Sequence, residues 1–399
     1  MTAEISIMNT KGLAMAADSA VTIGGRKVMN NARKLFTLDS RHSVGVMIFG
    51  NADILGVPWE VILNEFRSEV GNIPWDKLEC YCKEILSFTQ SFVKSHGRQT
   101  IDGIISYALD LVRLITNEPN SLTVDVLTSR LNRSVPDDME PLDNFTFDEK
   151  NFEDTLLEWT RHVFSENFDV EITPEFASIF IAKLGIYIRS QYFSTSNTGL
   201  VIAGYGKTDV FPEMFQYTLD AINNEILKYT LTEHSQIGNK KGDSSAVISP
   251  FAQQEMVHTI LKGIDPQLNS FRQQQANEIE NSVLDMVGDS PDKIIKVKSL
   301  FAHNYALFDG TMRKNFVDPI IGMVETLSLP ELGSMANTLV SLTSFKRKFS
   351  NAMETVGGPI DVLVISKGEG PVWIARKTYF DKSDNLGYIG RKINREGLL

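Results

Sequence analysis

A chain of 399 residues with 42% hydrophobic content can bury a large core, and length alone would allow two or three domains. A net charge of −11 argues against sequence-independent binding of nucleic acid through its phosphates. The two cysteines, Cys80 and Cys82, stand in a Cys-Tyr-Cys on a predicted helix and form neither a disulfide framework nor a zinc knuckle. Without a signal peptide or an apolar run of about 18 residues, the expectation is a soluble cytoplasmic protein with no membrane partner.

Thr2 to Met8 reads as a strand, Asn9-Thr10-Lys11-Gly12 as a turn, and Leu13 to Ala17 as a second, largely buried strand ending at Asp18-Ser19. Pairing the two as a hairpin brings Asp18 back beside Thr2. Asn31 to Leu38 gives a third strand region opening on Lys34, and Ser43 to Gly50 a fourth that ends in Gly50-Asn51-Ala52-Asp53. Val57 to Val70 and Pro74 to Val93 have helical periodicity, with Trp59, Ile62, Leu63 and Phe66 on one stripe and Leu78, Cys82, Ile85 and Leu86 on another.

The stretch 97 to 196 lacks a strong strand pattern. Helical segments at Ile101 to Thr116, Phe152 to Phe164 and Pro174 to Gln191 mark it as an inserted helical subdomain. Strands return at Thr198 to Gly204, Met214 to Leu219 and Glu225 to Thr232. Ser244 to Lys262 reads as a helix, and 270 to 345 as mostly helical with breaks near Gly288-Asp289-Ser290-Pro291 and Leu329-Pro330. The segment 359 to 377 reads as a hairpin turning at Lys367-Gly368-Glu369-Gly370. This order predicts an α+β fold: a four-layer αββα sandwich of two sheets between two helical layers, with the helical subdomain inserted. The corresponding division is a core in three parts, 1 to 96, 197 to 264 and 329 to 377, interrupted by the insertion 97 to 196 and a helical extension 265 to 328, and followed by a solvated tail 378 to 399.

The N-terminal residues carry the chemistry. With Met1 removed, Thr2 has a hydroxyl nucleophile and a free α-amine whose ordinary pKa of roughly 8 suits a base near neutral pH. An ammonium from Lys34 favours the alkoxide of Thr2, Asp18 holds that lysine charged, and the Gly50 N–H can take the oxyanion of a tetrahedral intermediate. Taken singly, each of these residues has a structural reading as a turn, cap or solvated edge residue. Their joint spacing points to acyl transfer.

At these positions the chain resembles the proteasome β-subunits and their bacterial relatives among the N-terminal nucleophile (Ntn) hydrolases. In that family a catalytic Thr opens the mature chain, an Asp follows 16 residues on in an A-A-D-S segment, and a Lys 32 residues on. Ala16-Ala17-Asp18-Ser19 and Arg33-Lys34-Leu35 fall at those offsets from Thr2, and Phe49-Gly50-Asn51-Ala52 fits the oxyanion-glycine turn. Val356-Gly357-Gly358-Pro359 and the strand after it look like the family's S-G-G strand. Where the family has a supporting Asp and Ser before that glycine pair, this chain has Met353, Glu354, Thr355 and Val356, with Glu354 and Thr355 as substitutes. Ser249 before Pro250-Phe251-Ala252 matches the family's other supporting serine, with Ser244 and Ser245 as rivals. The resemblance implies the Ntn-hydrolase fold, a peptide or protein substrate, a homo-oligomeric assembly, and a pocket beside Thr2 lined by Val21, Ala32, Ile48 and Ala52 that favours an apolar residue before the cut.

Other motifs fail. Gly204-Tyr205-Gly206-Lys207-Thr208 has the tail of a phosphate loop without its leading glycine, the six histidines show no metal spacing, and no G-x-S-x-G elbow occurs. The expectation is a threonine-type protease or amidohydrolase that needs no cofactor and no metal. A connectase-like transpeptidase or protein ligase using the same site, and a non-catalytic scaffold of the same fold, stay open beside it.

Overall fold

The computed structural model describes residues 2–23, 27–39, 41–71, 73–117, 122–143, 145–238, 243–288, 290–349, 356–381, 383–387 and 390. The chain begins with a strand pair, β1 (Ala3–Asn9) and β2 (Gly12–Ala17), joined by the short turn at residues 10 and 11. A small hairpin, β3 (Val21–Ile23) and β4 (Lys27–Met29), precedes β5 (Leu35–Asp39) and β6 (His42–Gly50). Two short strands, β7 (Asp53–Ile54) and β8 (Val57–Pro58), lead into helices α1 (Trp59–Glu69) and α2 (Leu78–His96).

Four helices follow: α3 (Asp102–Thr116), α4 (Val124–Ser134), α5 (Glu153–Phe168) and α6 (Pro174–Arg189). Strands β9 (Thr198–Gly204), β10 (Glu213–Ala221), β11 (Leu227–Gln236) and β12 (Ala246–Ala252) then run up to α7 (Glu255–Lys262). The remaining helices are α8 (Pro266–Val287), α9 (Pro291–Met312), a π-helical turn over Arg313–Val317, α10 (Asp318–Thr326) and α11 (Leu329–Lys348). The final hairpin is β13 (Asp361–Ser366) and β14 (Gly370–Ala375).

The architecture is mixed α+β, with two five-stranded antiparallel sheets in the orders β12-β1-β2-β13-β14 and β11-β10-β9-β6-β5. Strand alternation decides what each face meets. From β1, Met8 joins Leu13, Met15, Met47, Val201, Ala203 and Leu363 in a core between the sheets. Ala3, Ile5 and Ile7 point the other way, against Val257 and Leu261 of α7 and Leu332, Ala336 and Leu339 of α11. Val44, Val46 and Ile48 of β6 pack on Trp59, Ile62 and Leu63 of α1 and on Tyr81 and Ile85 of α2. Both faces of β1 and β2 are therefore buried, which explains their nearly unbroken runs of apolar and small residues.

Two expectations are corrected here. The segment read as a helix from Ser244 to Lys262 is strand β12 followed by the short α7. Pro250, interior to the span read as helix, is compatible with the strand: it lies opposite Ile5 on a strand that pairs only with β1 at the sheet edge, where a missing N–H costs no ladder bond. The third strand starts at Leu35, so Lys34 sits in the approach to it. The sequence reading also missed α4, which Thr123 caps by accepting from Val126 N.

Helices α3 to α6 share their own apolar cluster, including Tyr107, Leu111, Leu131, Phe164, Phe180 and Leu184. Lys228 of β11 anchors this cluster to the sheet. Its ammonium donates to the carbonyls of Ile188 (2.8 Å) and Tyr192 and lies over the rings of Phe193 (4.6 Å) and Tyr107 (5.0 Å). Burial brings its pKa down to about 8, against the opposing pull of Asp220. Because the folded pKa is depressed, this group's contribution to stability improves as pH rises from about 8 toward the free-lysine value. Lys228→Met should cost about 1–3 kcal/mol by leaving the buried Ile188 carbonyl and the part-buried Tyr192 carbonyl without their donor. Urea titration should show this loss with the region around Thr2 unaffected; an unchanged midpoint would contradict the anchoring role.

Candidate active site

The turn after Asn9 sets Glu4 opposite Ala17, and one step further along each strand lies the pair Ala3 and Asp18. Asp18 N donates to Ala3 O (3.1 Å), and Ala3 N donates to Asp18 Oδ1 (3.2 Å), closing the open end of the hairpin. The carboxylate also accepts from Gly357 N (2.9 Å) and Ala20 N (3.3 Å) and takes the Lys34 ammonium at 2.6 Å. Both side chains of this ion pair are buried, Lys34 at 4% exposure and Asp18 at 0%. Lys34 is held from behind by its own carbonyl, which accepts from Ile48 N (2.9 Å).

Thr2 sits at the entrance to β1, its carbonyl accepting from Gln253 N (3.1 Å). The residue is 5% exposed, and among the described residues its hydroxyl makes no hydrogen bond of full geometry, although it lies near enough to the Glu4 carboxyl to favour that group's charged form. Thr2, Lys34 and Gly50 line one cavity of about 170 Å³, whose walls include Val21, Ala32, Ile48 and Ala52. Arg33 and Glu60, also in the lining, pair at 2.8 Å. Gly50 has φ +80°, and a Cβ there would lie 2.5 Å from the Asn197 carbonyl oxygen, so only glycine fits this turn.

A second cavity of about 260 Å³ shares Asn51 with the first and is lined by polar groups including Asp53, Arg98, Asp102, Ser106 and Asp220. It is the larger of the two. The smaller one is the candidate site because it alone contains the unpartnered hydroxyl.

The remaining predicted positions lie elsewhere or outside the description. Ser249 is on β12 opposite Ser6, and its hydroxyl donates to Glu233 (2.7 Å). Of its rivals, Ser245 donates to Glu325 and Ser244 is exposed. Met353, Glu354 and Thr355 lie outside the described residues, whereas Val356 is buried. The glycine-pair segment does reach the site: Ser19 N donates to Gly357 O (3.1 Å), and the Ser19 hydroxyl donates to Pro359 O. Among the described residues, no cluster of three or more His, Cys, Asp or Glu side chains is arranged to hold a metal, and no helix is long and apolar enough to cross a membrane.

Sequence reasoning missed Glu4. It follows Thr2 by two positions on β1 and so faces the same side. It is 2% exposed, and among the described residues neither carboxyl oxygen has a hydrogen bond of full geometry, the Thr2 hydroxyl being only nearby. Ser6, the next residue on that face, is also buried, and its hydroxyl has no partner among the described residues. Burial raises the Glu4 pKa well above the ordinary glutamate value, Lys34 opposes the rise, Asp18 adds to it and the nearby Thr2 hydroxyl opposes it. Burial beside the Lys34–Asp18 pair thus disfavours the charged form of this carboxyl, because ionising it would place a second negative charge next to Asp18 away from water. The available signal was a charged residue inside a strand whose apolar and small neighbours leave no solvent face.

The unfolded chain loses the Glu4 proton near the ordinary glutamate pKa and the folded chain keeps it to higher pH, so between the two values stability falls as pH rises, by up to about 1.4 kcal/mol per pH unit. Glu4→Gln should remove this fall and raise the melting temperature at neutral pH relative to the parent. Parallel melting curves against pH for the two proteins would contradict it.

No family model matches the chain, and no curated protein matches it. Among solved structures, it is similar to the "Anbu (Gly-1) mutant from Hyphomicrobium sp. strain MC1" with TM-score 0.31 and 11% identity, covering 100% of this chain and 96% of that one. "Anbu (ancestral beta-subunit) from Yersinia bercovieri" gives TM-score 0.29 and 10% identity, covering 100% and 97%. Overlays this loose define no shared fold. The expectation that the chain is a bacterial member of the proteasome β-subunit group is therefore corrected: no family model matches, and overlays at these TM-scores support no family assignment.

Proposed function

We propose that this chain is a threonine-type amidohydrolase that cleaves peptide or amide bonds through an acyl-enzyme on Thr2 once Met1 has been removed. One observation carries the reading. A buried Thr2 hydroxyl, without a fully formed hydrogen bond among the described residues, lines the same cavity as Lys34 and Gly50, and Lys34 is fixed by a buried Asp18 carboxylate. Neither a capped turn nor a solvated edge accounts for an orphan hydroxyl at a cavity wall beside a buried ion pair.

In this mechanism Thr2 Oγ1 attacks the carbonyl carbon and its proton passes to the α-amine. The oxyanion is received by the Gly50 N–H while the Lys34 ammonium stabilises the developing charge at Oγ1. Collapse breaks the C–N bond, and the departing amine takes the proton from the α-ammonium. Water, deprotonated by the α-amine, then attacks the ester and releases acid and free Thr2. Val21, Ala32, Ile48 and Ala52 would seat an apolar side chain before the cut. The two sheets with helices packed on their outer faces support a four-layer αββα sandwich, and the separate cluster of α3 to α6 supports the inserted subdomain over 97 to 196.

The polar cavity that adjoins the first at Asn51 favours one second reading, transpeptidation, in which it seats an incoming amine that replaces water. Fluorogenic peptide amides with apolar residues before the scissile bond, incubated with and without an added amine, test both readings. Release of free acid supports hydrolysis, and an acid-to-amide switch supports ligation. No turnover across a peptide library, with Thr2 shown to be free, would overturn both.

A further inference from the structure

Helices α8 and α9 form an antiparallel hairpin: the Tyr305 hydroxyl donates to Asn277 Oδ1 (2.9 Å), and the Arg272 guanidinium lies 3.6 Å from the centre of the Phe308 ring. Each helix is 22 residues long and neither contains a buried residue. Beyond the face turned to its mate, each carries a second apolar stripe. On α8 it is Leu268, Phe271, Ile279 and Met286, all exposed, Met286 at 85%. These positions fall on one side of a helix at close to the 3.5-residue repeat of a packed bundle. On α9, exposed Leu300 and Leu307 stand seven residues apart in the same sense. A pair of helices with apolar residues on both sides has one face still to be covered.

Charge says what covers it. The half of α8 next to the hairpin turn carries Glu278, Glu280 and Asp285, and the adjoining half of α9 carries Lys293, Lys296 and Lys298 against the single acid Asp292, a net positive charge. Among the described residues none of these six is joined in an ion pair, although both sets sit at the same end of the hairpin. A two-fold axis along the hairpin places α8 of one copy beside α9 of the other, antiparallel and with the turns aligned. That operation sets each acidic half against a basic half and continues the up-and-down order of a four-helix bundle. The size also fits. Helices about 33 Å long and a pair about 20 Å wide present roughly 650 Å², near the ~800 Å² that each partner gives to a stable interface.

We propose that the hairpin face carrying Leu268, Phe271, Ile279, Met286, Leu300 and Leu307 is closed by the same hairpin of a second copy of this chain, forming an antiparallel four-helix bundle. The association is independent of the reading of Thr2.

Sedimentation equilibrium of the full chain tests it. The parent should give twice the 44.6 kDa chain mass, and the double variant Ile279→Glu/Leu300→Glu, altered only at exposed positions, should give the single mass with an unchanged far-UV spectrum. Two charge-reversed proteins separate association from hairpin stability. Lys293→Glu/Lys296→Glu/Lys298→Glu and Glu278→Lys/Glu280→Lys/Asp285→Lys should each dimerise at least tenfold more weakly alone and recover a mixed dimer when combined. Repulsion within a hairpin would not be relieved by mixing. A parent that stays monomeric at about 100 µM, a dimer that survives the double variant, or a monomer that instead binds anionic lipid vesicles would each overturn the proposal.

Discussion

Replacing Thr2 with alanine should abolish covalent labelling by threonine-directed electrophiles and lower amide turnover by at least about 10⁴-fold, the scale seen when a nucleophile is removed from a site that otherwise stays assembled. The fold should be nearly indifferent. The Thr2 hydroxyl has no fully formed hydrogen bond to lose among the described residues, and the backbone bond from Gln253 N to Thr2 O does not depend on the side chain. Thr2→Ala should therefore melt within about 0.5 kcal/mol of the parent, while Thr2→Ser should keep measurable labelling because it keeps the hydroxyl. A side chain expendable for stability and indispensable for reaction is the signature the proposal requires. Turnover that persists in Thr2→Ala would move the chemistry elsewhere.

The second large effect lies at the Lys34–Asp18 pair. Removing one member of a buried ion pair leaves an uncompensated charge and costs about 3–5 kcal/mol. The two members are not equivalent here. Asp18→Asn strands a lysine whose only hydrogen-bond acceptor among the described residues is that carboxylate, and it disturbs the bonds from Ala3, Ala20 and Gly357. Lys34→Met leaves an aspartate still held by three backbone N–H groups, so its stability cost should be the smaller, although labelling of Thr2 should fall by about 100-fold or more. The double variant should recover part of the loss of Asp18→Asn, giving a coupling of about 1–3 kcal/mol in a double-mutant cycle. Additive losses would mean that the pair does not act as a unit.

The juxtaposition of Thr2, Asp18 and Lys34 was legible because it is local. A short turn fixes the register of β1 on β2, and register alone carries Asp18 back to the entrance of β1. Val21, Ala32, Ile48 and Ala52 were named from the resemblance, and they line the cavity that holds Thr2. What was illegible depends on tertiary burial. Glu4 passed unnoticed because a glutamate in a strand normally faces water, and only the second sheet shows that no face of β1 is wet. Ser249 was assigned from a motif whose Pro250 suggested a helix start, whereas edge position lets the same proline sit in a strand. The second apolar stripe on α8 and α9 was not singled out in a stretch read only as mostly helical, and helical period alone does not say whether a stripe meets the chain's own core or a partner.

The central claim is that Thr2, with its amine free, is the nucleophile, and intact mass before and after exposure to a β-lactone or epoxyketone tests it most directly. The account predicts a chain lacking Met1 that gains one adduct, mapped to Thr2 and absent from Thr2→Ala. A chain that has lost Met1 and takes up no adduct, or takes it up equally in Thr2→Ala, would contradict it.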